Sequence, residues 1–179
     1  MPTAVLIIDV QQGLCEGPEA VFDPAGTIKR INRVSFHARE KGALVIVIQH
    51  ESETGLLIHG SEAWQLALGL QTEAEDQFIR KTTPDSFLGT GLEELLKRKG
   101  IEDLVICGMV TEFCVDTTTR RALALGFPVT LVSDGHSSAG NAVLTPQQVI
   151  AHHNETLSNI TSFGPRAKPV PSAMVEIAP

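Results

Sequence analysis

Three residues of this 179-residue chain combine a reactive type with a telling position: Asp9, Lys81 and Cys114. Asp9 ends the apolar run Ala4 to Ile8, and a carboxylate directly after a buried strand is costly unless it is paired or used. Lys81 ends a shorter run, Gln77 to Arg80. Cys114 follows the apolar run Leu104 to Cys107 and the break at Gly108, where a polar, helix-compatible segment opens. At a helix start, free N–H groups and the positive end of the dipole favour a thiolate and can later hold an oxyanion. The chemistry that such a trio can do is acyl transfer. Asp9 takes the thiol proton, the Lys81 cation keeps the carboxylate ionised and favours the thiolate, and Cys114 attacks a carbonyl.

Each residue also has a plainer reading. Strand-end lysines often just reach to water, and an aspartate in a turn often just accepts backbone hydrogen bonds. Free cysteines are commonly small apolar fillers, which is how we read Cys107; by position alone Cys114 is either filler or nucleophile.

The elements that must position the trio follow from periodicity. Ala4–Ile8 and 43–48 read as buried strands joined by a helix over 25–41, whose stripe is Ile28, Ile31, Val34 and Ala38 and whose stop is Gly42. The loop over 10–24 is long enough to suggest function. Residues 77–80 predict a third strand, Thr90 to Glu93 a capping box before a helix closed by Gly100, and 104–107 a fourth strand. The helix after Cys114 is expected to reach Leu125, with a fifth strand over 128–132 ending in the acidic turn Ser133-Asp-Gly-His136, where His136 either reaches the pocket or, more simply, makes a local turn hydrogen bond. Thr145-Pro-Gln-Gln148 is a further helix start, with His153 as a packing histidine on that helix. Residues 160–163 predict a sixth, edge strand. This is a three-layer α/β/α domain with a mainly parallel sheet of about six strands over 1–163, followed by a Pro-rich tail over 164–179. A parallel sheet brings Asp9, Lys81 and Cys114 to one edge, the edge at which open sheets bind ligands.

Composition narrows the classes. A formal charge of −7 without a compensating basic patch argues against nucleic acid and anionic membrane as partners and leaves a small-molecule substrate. Three cysteines without framework spacing do not form a disulfide scaffold. The N-terminal residues lack the pattern of a signal peptide, so cytoplasmic residence is expected. His50 and His59 lack a compact metal-ligand spacing, so no metal and no other cofactor is expected.

The residues Leu6-Ile-Ile-Asp-Val-Gln11, Arg80-Lys81, Ser86-Phe87, Gly89-Thr90, Gly108-Met-Val-Thr-Glu-Phe-Cys-Val115 and Ser133-Asp134 together resemble the isochorismatase-like cysteine hydrolases, over about residues 4–160 and in the right order. The resemblance moves Cys114 from an even choice to nucleophile. It implies a six-stranded parallel sheet, assembly as a dimer or tetramer, and hydrolysis of small amides or related C–N bonds. It also implies a cis peptide joining Val110 to Thr111 and an oxyanion hole made by the Thr111 and Cys114 N–H groups. The family includes nicotinamidases, carbamoylsarcosine and ureidoacrylate amidohydrolases, and streptothricin hydrolases. Nicotinamidases resemble one another in an Asp-x-His metal motif where this chain has Gln49-His-Glu-Ser52, which disfavours a metal-bound substrate. By position, Gln11, Leu14, His50, Trp64, Phe87 and Phe113 are candidates for the pocket wall. No lysine or arginine stands out as a carboxylate clamp, so an uncharged amide is the expected substrate.

Three alternatives remain at this level. Isochorismatase-type vinyl-ether hydrolysis needs the aspartate but no cysteine. A catalytically silent binder has no need of the trio. A redox sensor pairing Cys114 with Cys15 requires the two thiols to come within disulfide reach.

Overall fold

Unbroken apolar runs bury a strand on both faces, and here they form the centre of a parallel sheet. In the computed structural model, which describes residues 1–179, Thr3–Ile8 forms β1 with every residue buried. Its side chains alternate. Ala4, Leu6 and Ile8 enter one apolar cluster, and Val5 and Ile7 enter a second cluster on the opposite face. β1 lies between β2 (Leu44–His50) and β4 (Asp103–Met109); β3 (Gln77–Lys81) lies outside β2, and β5 (Val129–Ser137) and β6 (Ala167–Val170) continue beyond β4. All neighbours in this six-stranded sheet are parallel. The expected α/β/α architecture is therefore observed.

The short helix α1 (Gln12–Cys15) interrupts the long loop after β1. Helix α2 (Pro24–Glu40) starts where the Asp23 side chain accepts the Gly26 N–H and Pro24 occupies the first turn; Ile28, Ile31, Val34 and Ala38 form its buried stripe against the second cluster. Helices α3 (Leu92–Arg98), α4 (Asp116–Ala124) and α5 (Pro146–Ser158) supply Leu92, Leu95, Leu96, Ala122, Leu123 and Leu157 to the first cluster. The Thr145–Gln148 capping box of α5 forms as expected. His153 Nδ1 donates to Val149 O at 2.9 Å, in keeping with a packing role. The Thr90–Glu93 box does not form. Thr90 Oγ1 donates to Ser86 O at 2.7 Å and accepts from Leu92 N, so Gly91 takes the cap position without a side-chain bond.

The carboxyl-terminal residues depart most from the sequence reading. Residues 160–163 are not a strand, and the sixth strand lies inside the Pro-rich stretch. Pro169 is accommodated there because β6 is an edge strand, where a missing N–H is tolerated. Val175 and Ile177 are buried in the second cluster. Asp134 anchors the segment by accepting the Ser172 N–H at 2.7 Å and the Ser172 hydroxyl at 3.1 Å. Asp134→Ala strands that buried N–H and is expected to cost about 1–2 kcal/mol. It should also make residues 165–179 easier to proteolyse; an unchanged melting temperature with an equally resistant tail would contradict this anchor.

Candidate active site

The strand register collects the reactive groups. Ile8 pairs with Ile48 on one side and Gly108 on the other, and His50 pairs with Lys81, so the residues leaving β1, β2, β3 and β4 emerge at one edge. Two backbone features sharpen the convergence. Asp9 adopts a left-handed conformation, φ 50°, with its N–H bonded to Ile48 O at 2.8 Å. Gly108 has φ 128°, and a β-carbon there would collide with the Ile8 carbonyl, so only glycine lets β4 approach β1 where Asp9 departs.

Lys81 is the hub. Its Nζ lies 2.7 Å from Asp9 Oδ2, 3.1 Å from Thr83 O, 3.2 Å from His50 Nδ1 and 3.3 Å from Cys114 Sγ. The Lys81 and Asp9 side chains are 0% and 1% exposed, which settles that the lysine does not reach to water. Asp9 Oδ1 is buried and has no partner. Burial raises the Asp9 carboxyl above its ordinary range, although the Lys81 charge pulls it down. Burial, and then the Asp9 charge, push the Cys114 thiol up to about 12, against the opposing effect of Lys81. At neutral pH Cys114 is therefore a thiol. The thiolate expected at a helix start is not the resting form, because desolvation outweighs the nearby positive charge. Burial and the Lys81 charge likewise hold the His50 imidazole below its usual value, keeping it neutral with a lone pair facing the ammonium.

A reactivity profile follows. Iodoacetamide alkylation of Cys114, followed by peptide mass, is expected to rise close to tenfold per unit from about pH 7 to about pH 10, because the thiolate fraction is far from saturation. A plateau near neutrality would reveal a preformed thiolate instead.

Cys114 sits in a π-helical turn, Thr111–Val115, that runs directly into α4. Val110 O accepts from Phe113 N at 3.1 Å and Val115 N at 3.3 Å, and Cys114 N–H is not among its donors. The cis peptide bond lies one residue earlier than expected, between Met109 and Val110 rather than between Val110 and Thr111. The bend leaves the strand at Met109, and Thr111 already belongs to the turn.

Of the six wall candidates, His50 touches Lys81, and Phe113, 59% exposed, stands beside Cys114. Trp64 lies in a covering loop, its ring against His59 and its carbonyl accepting from Gln11 and Gln49. Three are used elsewhere. Gln11 is fully buried and clamps β2 to that loop, donating to His50 O and Trp64 O and accepting His50 N. Phe87 is a core residue stacked on Phe127, and Leu14 packs against the second cluster. Cys15 also packs there, with its thiol on Met109 Sδ, whereas Cys114 packs on the opposite face; this arrangement does not favour the disulfide-sensor reading.

Asp9, His50 and Cys114 each offer a ligand atom within 4.8 Å of one another, a spacing that suits a cation. The Lys81 ammonium is bonded to all three, so the positive charge this cluster calls for is already built into the chain. Sequence reasoning singled out His136 but missed its partner: the bond is not local to its own turn, because buried Thr111 places Oγ1 2.9 Å from His136 Nδ1. The signal that pointed there was Gly135, read only as part of a turn.

Residues 3–152 match the Isochorismatase domain family. A streptothricin hydrolase from Streptomyces noursei is 36% identical over 136 residues, which is 75% of this chain and 49% of the relative, so the chain spans about half the length of that protein. The uncharacterized isochorismatase family protein YrdC from Bacillus subtilis (strain 168) is 35% identical, over 76% of this chain and 74% of its own. A crystal structure of an isochorismatase family protein superposes with a TM-score of 0.85 at 34% identity, covering 94% of this chain and 97% of the other. The sheet order, the family match along most of the chain and the shared fold agree: this chain belongs to the isochorismatase family.

Proposed function

We propose that the protein hydrolyses a C–N bond of a small amide, ureido or carbamoyl compound through a Cys114 thioester. The observation that carries this reading is the buried cluster in which Lys81 Nζ holds one oxygen of Asp9 at 2.7 Å and Cys114 Sγ at 3.3 Å while the other Asp9 oxygen is unpartnered. That free oxygen is the acceptor for the thiol proton. A carboxyl raised by burial is a stronger base than an exposed aspartate, which suits it to a thiol that is itself hard to ionise.

As the proton passes to Asp9, Sγ attacks the carbonyl carbon and the carbonyl oxygen takes up the electron pair. Backbone N–H groups of the turn that carries Cys114 stabilise that oxyanion. Collapse breaks the C–N bond, and Asp9 returns its proton to the departing nitrogen. Water then attacks the thioester, giving its proton to Asp9, and the thiol leaves with that proton. Lys81 forms no covalent bond; its charge keeps Asp9 ionised between proton transfers. The relatives named as streptothricin hydrolases support hydrolysis as the reaction class.

The substrate we favour is uncharged, since none of the groups around Cys114 described above forms a cationic clamp. Incubation with a panel of small amides, ureas and carbamoyl compounds should release ammonia or amine from at least one. Release from none, while Cys114 remains alkylatable, would overturn the reading.

A further inference from the structure

We propose that His50 is a positioning residue for the Lys81 ammonium: its imidazole takes an ammonium proton that would otherwise be directed at Cys114 Sγ, and so keeps the resting nucleophile a thiol. The proposal rests on the acyl-transfer reading above and adds to it a residue outside the trio.

The placement is set by the sheet. His50 pairs with Lys81 across the β2–β3 ladder, so the two side chains leave neighbouring strands on the same face. Gln11, fully buried just past β1, holds the His50 backbone from both sides, accepting its N–H at 2.9 Å and donating to its carbonyl at 3.0 Å. The imidazole therefore starts from a fixed point. The charged groups that face it are Lys81 from β3, Asp9 from the end of β1 and Glu51, its neighbour in the chain.

An ammonium has three protons to give, and four acceptors surround Lys81 Nζ: Asp9 Oδ2 at 2.7 Å, Thr83 O at 3.1 Å, His50 Nδ1 at 3.2 Å and Cys114 Sγ at 3.3 Å. The Asp9 carboxylate, charged and nearest, holds the first proton. The Thr83 carbonyl, which can only accept, holds the second. His50 Nδ1 and Cys114 Sγ are left to contest the third. Because an ammonium has no lone pair, the Nδ1 that faces it is the bare nitrogen of a ring protonated at Nε2. A ring nitrogen is a good acceptor and a thiol sulfur a weak one, so the third proton points at Nδ1 while Cys114 is a thiol. The balance reverses when the thiol proton passes to Asp9 Oδ1. Sγ then carries a full negative charge and draws the third N–H towards itself. Lys81 keeps all three protons throughout; only the direction of one N–H changes. The move is short, since a ring nitrogen of His50 and Cys114 Sγ lie within 4.8 Å of each other.

A competitor of this kind makes the thiol harder to ionise, because the thiolate must win a bond that His50 already holds. It acts beside burial, the main cause of the high Cys114 value. Removing the competitor should therefore favour the thiolate. His50→Leu and the smaller His50→Val fill the space without an acceptor, whereas His50→Asn places an amide oxygen near the former Nδ1 and restores one. Iodoacetamide reads the thiolate without knowledge of the natural substrate: Sγ forms a bond to a saturated carbon and iodide leaves.

Alkylation of Cys114 in the full chain, followed by peptide mass from about pH 8 to about pH 10, should run about threefold to tenfold faster than wild type at every pH in His50→Leu and His50→Val. His50→Asn should stay within about twofold of wild type, because the acceptor is back. Thermal melting identifies which variants are folded, and the two acceptor-free variants back each other. A folded acceptor-free variant that alkylates no faster than wild type would overturn the competition. So would a His50→Asn variant as fast as His50→Leu, since the acceptor would then not be what matters. Amine release from the small-amide panel is scored separately. Faster alkylation in His50→Leu, together with no release from any compound by wild type, would keep the competition for the proton and overturn the acyl-transfer reading instead.

Discussion

Cys114→Ala is expected to lower hydrolysis of a responsive amide by at least about 10⁴-fold in kcat, because residues that act as one unit each cost nearly the whole rate when removed. The fold should be little affected: the side chain is only half-buried, and alanine keeps the backbone of the π turn. The alternative within the same family gives the opposite pattern. Vinyl-ether cleavage driven by Asp9 alone would survive Cys114→Ala and fail in Asp9→Ala, so rates for the two variants on one compound separate the readings.

Lys81→Met is expected to be costly twice over. It leaves the Asp9 carboxylate buried with no cation, and breaking a buried pair from one side typically costs about 3–5 kcal/mol. Asp9 escapes by keeping its proton, which removes the base, so activity should fall together with stability. Asp9→Asn combined with Lys81→Met removes both charges, and asparagine tolerates the left-handed backbone at that position. Chemical denaturation should show the double variant recovering most of the lost stability while remaining inactive. Equal destabilisation of single and double variants would mean that the pair's charge coupling is not what holds the site together.

The layer order and the meeting of Asp9, Lys81 and Cys114 were legible in the sequence because they rest on strong local signals: apolar runs that end in polar residues, with helical stripes between them. The pieces that were not legible depend on long-range partners. Nothing local in Ala167–Val170 outweighs Pro169 and the flanking Pro165 and Pro171; the strand exists because β5 offers a parallel edge and Asp134 anchors Ser172. Thr90 carries a capping signal that Ser86 O outcompetes. Gln11 and Phe87 have the right positions for a pocket wall, but one is taken by backbone groups of β2 and the covering loop, and the other by Phe127. The thiol state of Cys114 follows from burial, which no motif reports. His136 reaches Thr111 only through a bulge whose one local sign is a glycine.

The central claim is that the acyl group passes through Cys114, and hydroxylamine tests it most directly. Added to a turning-over reaction, it competes with water for a thioester, so the products should include a hydroxamate, or a hydroxyurea from a carbamoyl or ureido substrate, in proportion to its concentration. Cys114→Ala should form neither that product nor the hydrolysis product. Amine release that continues in Cys114→Ala, with the acid as the only other product at every hydroxylamine concentration, would contradict a covalent cysteine mechanism.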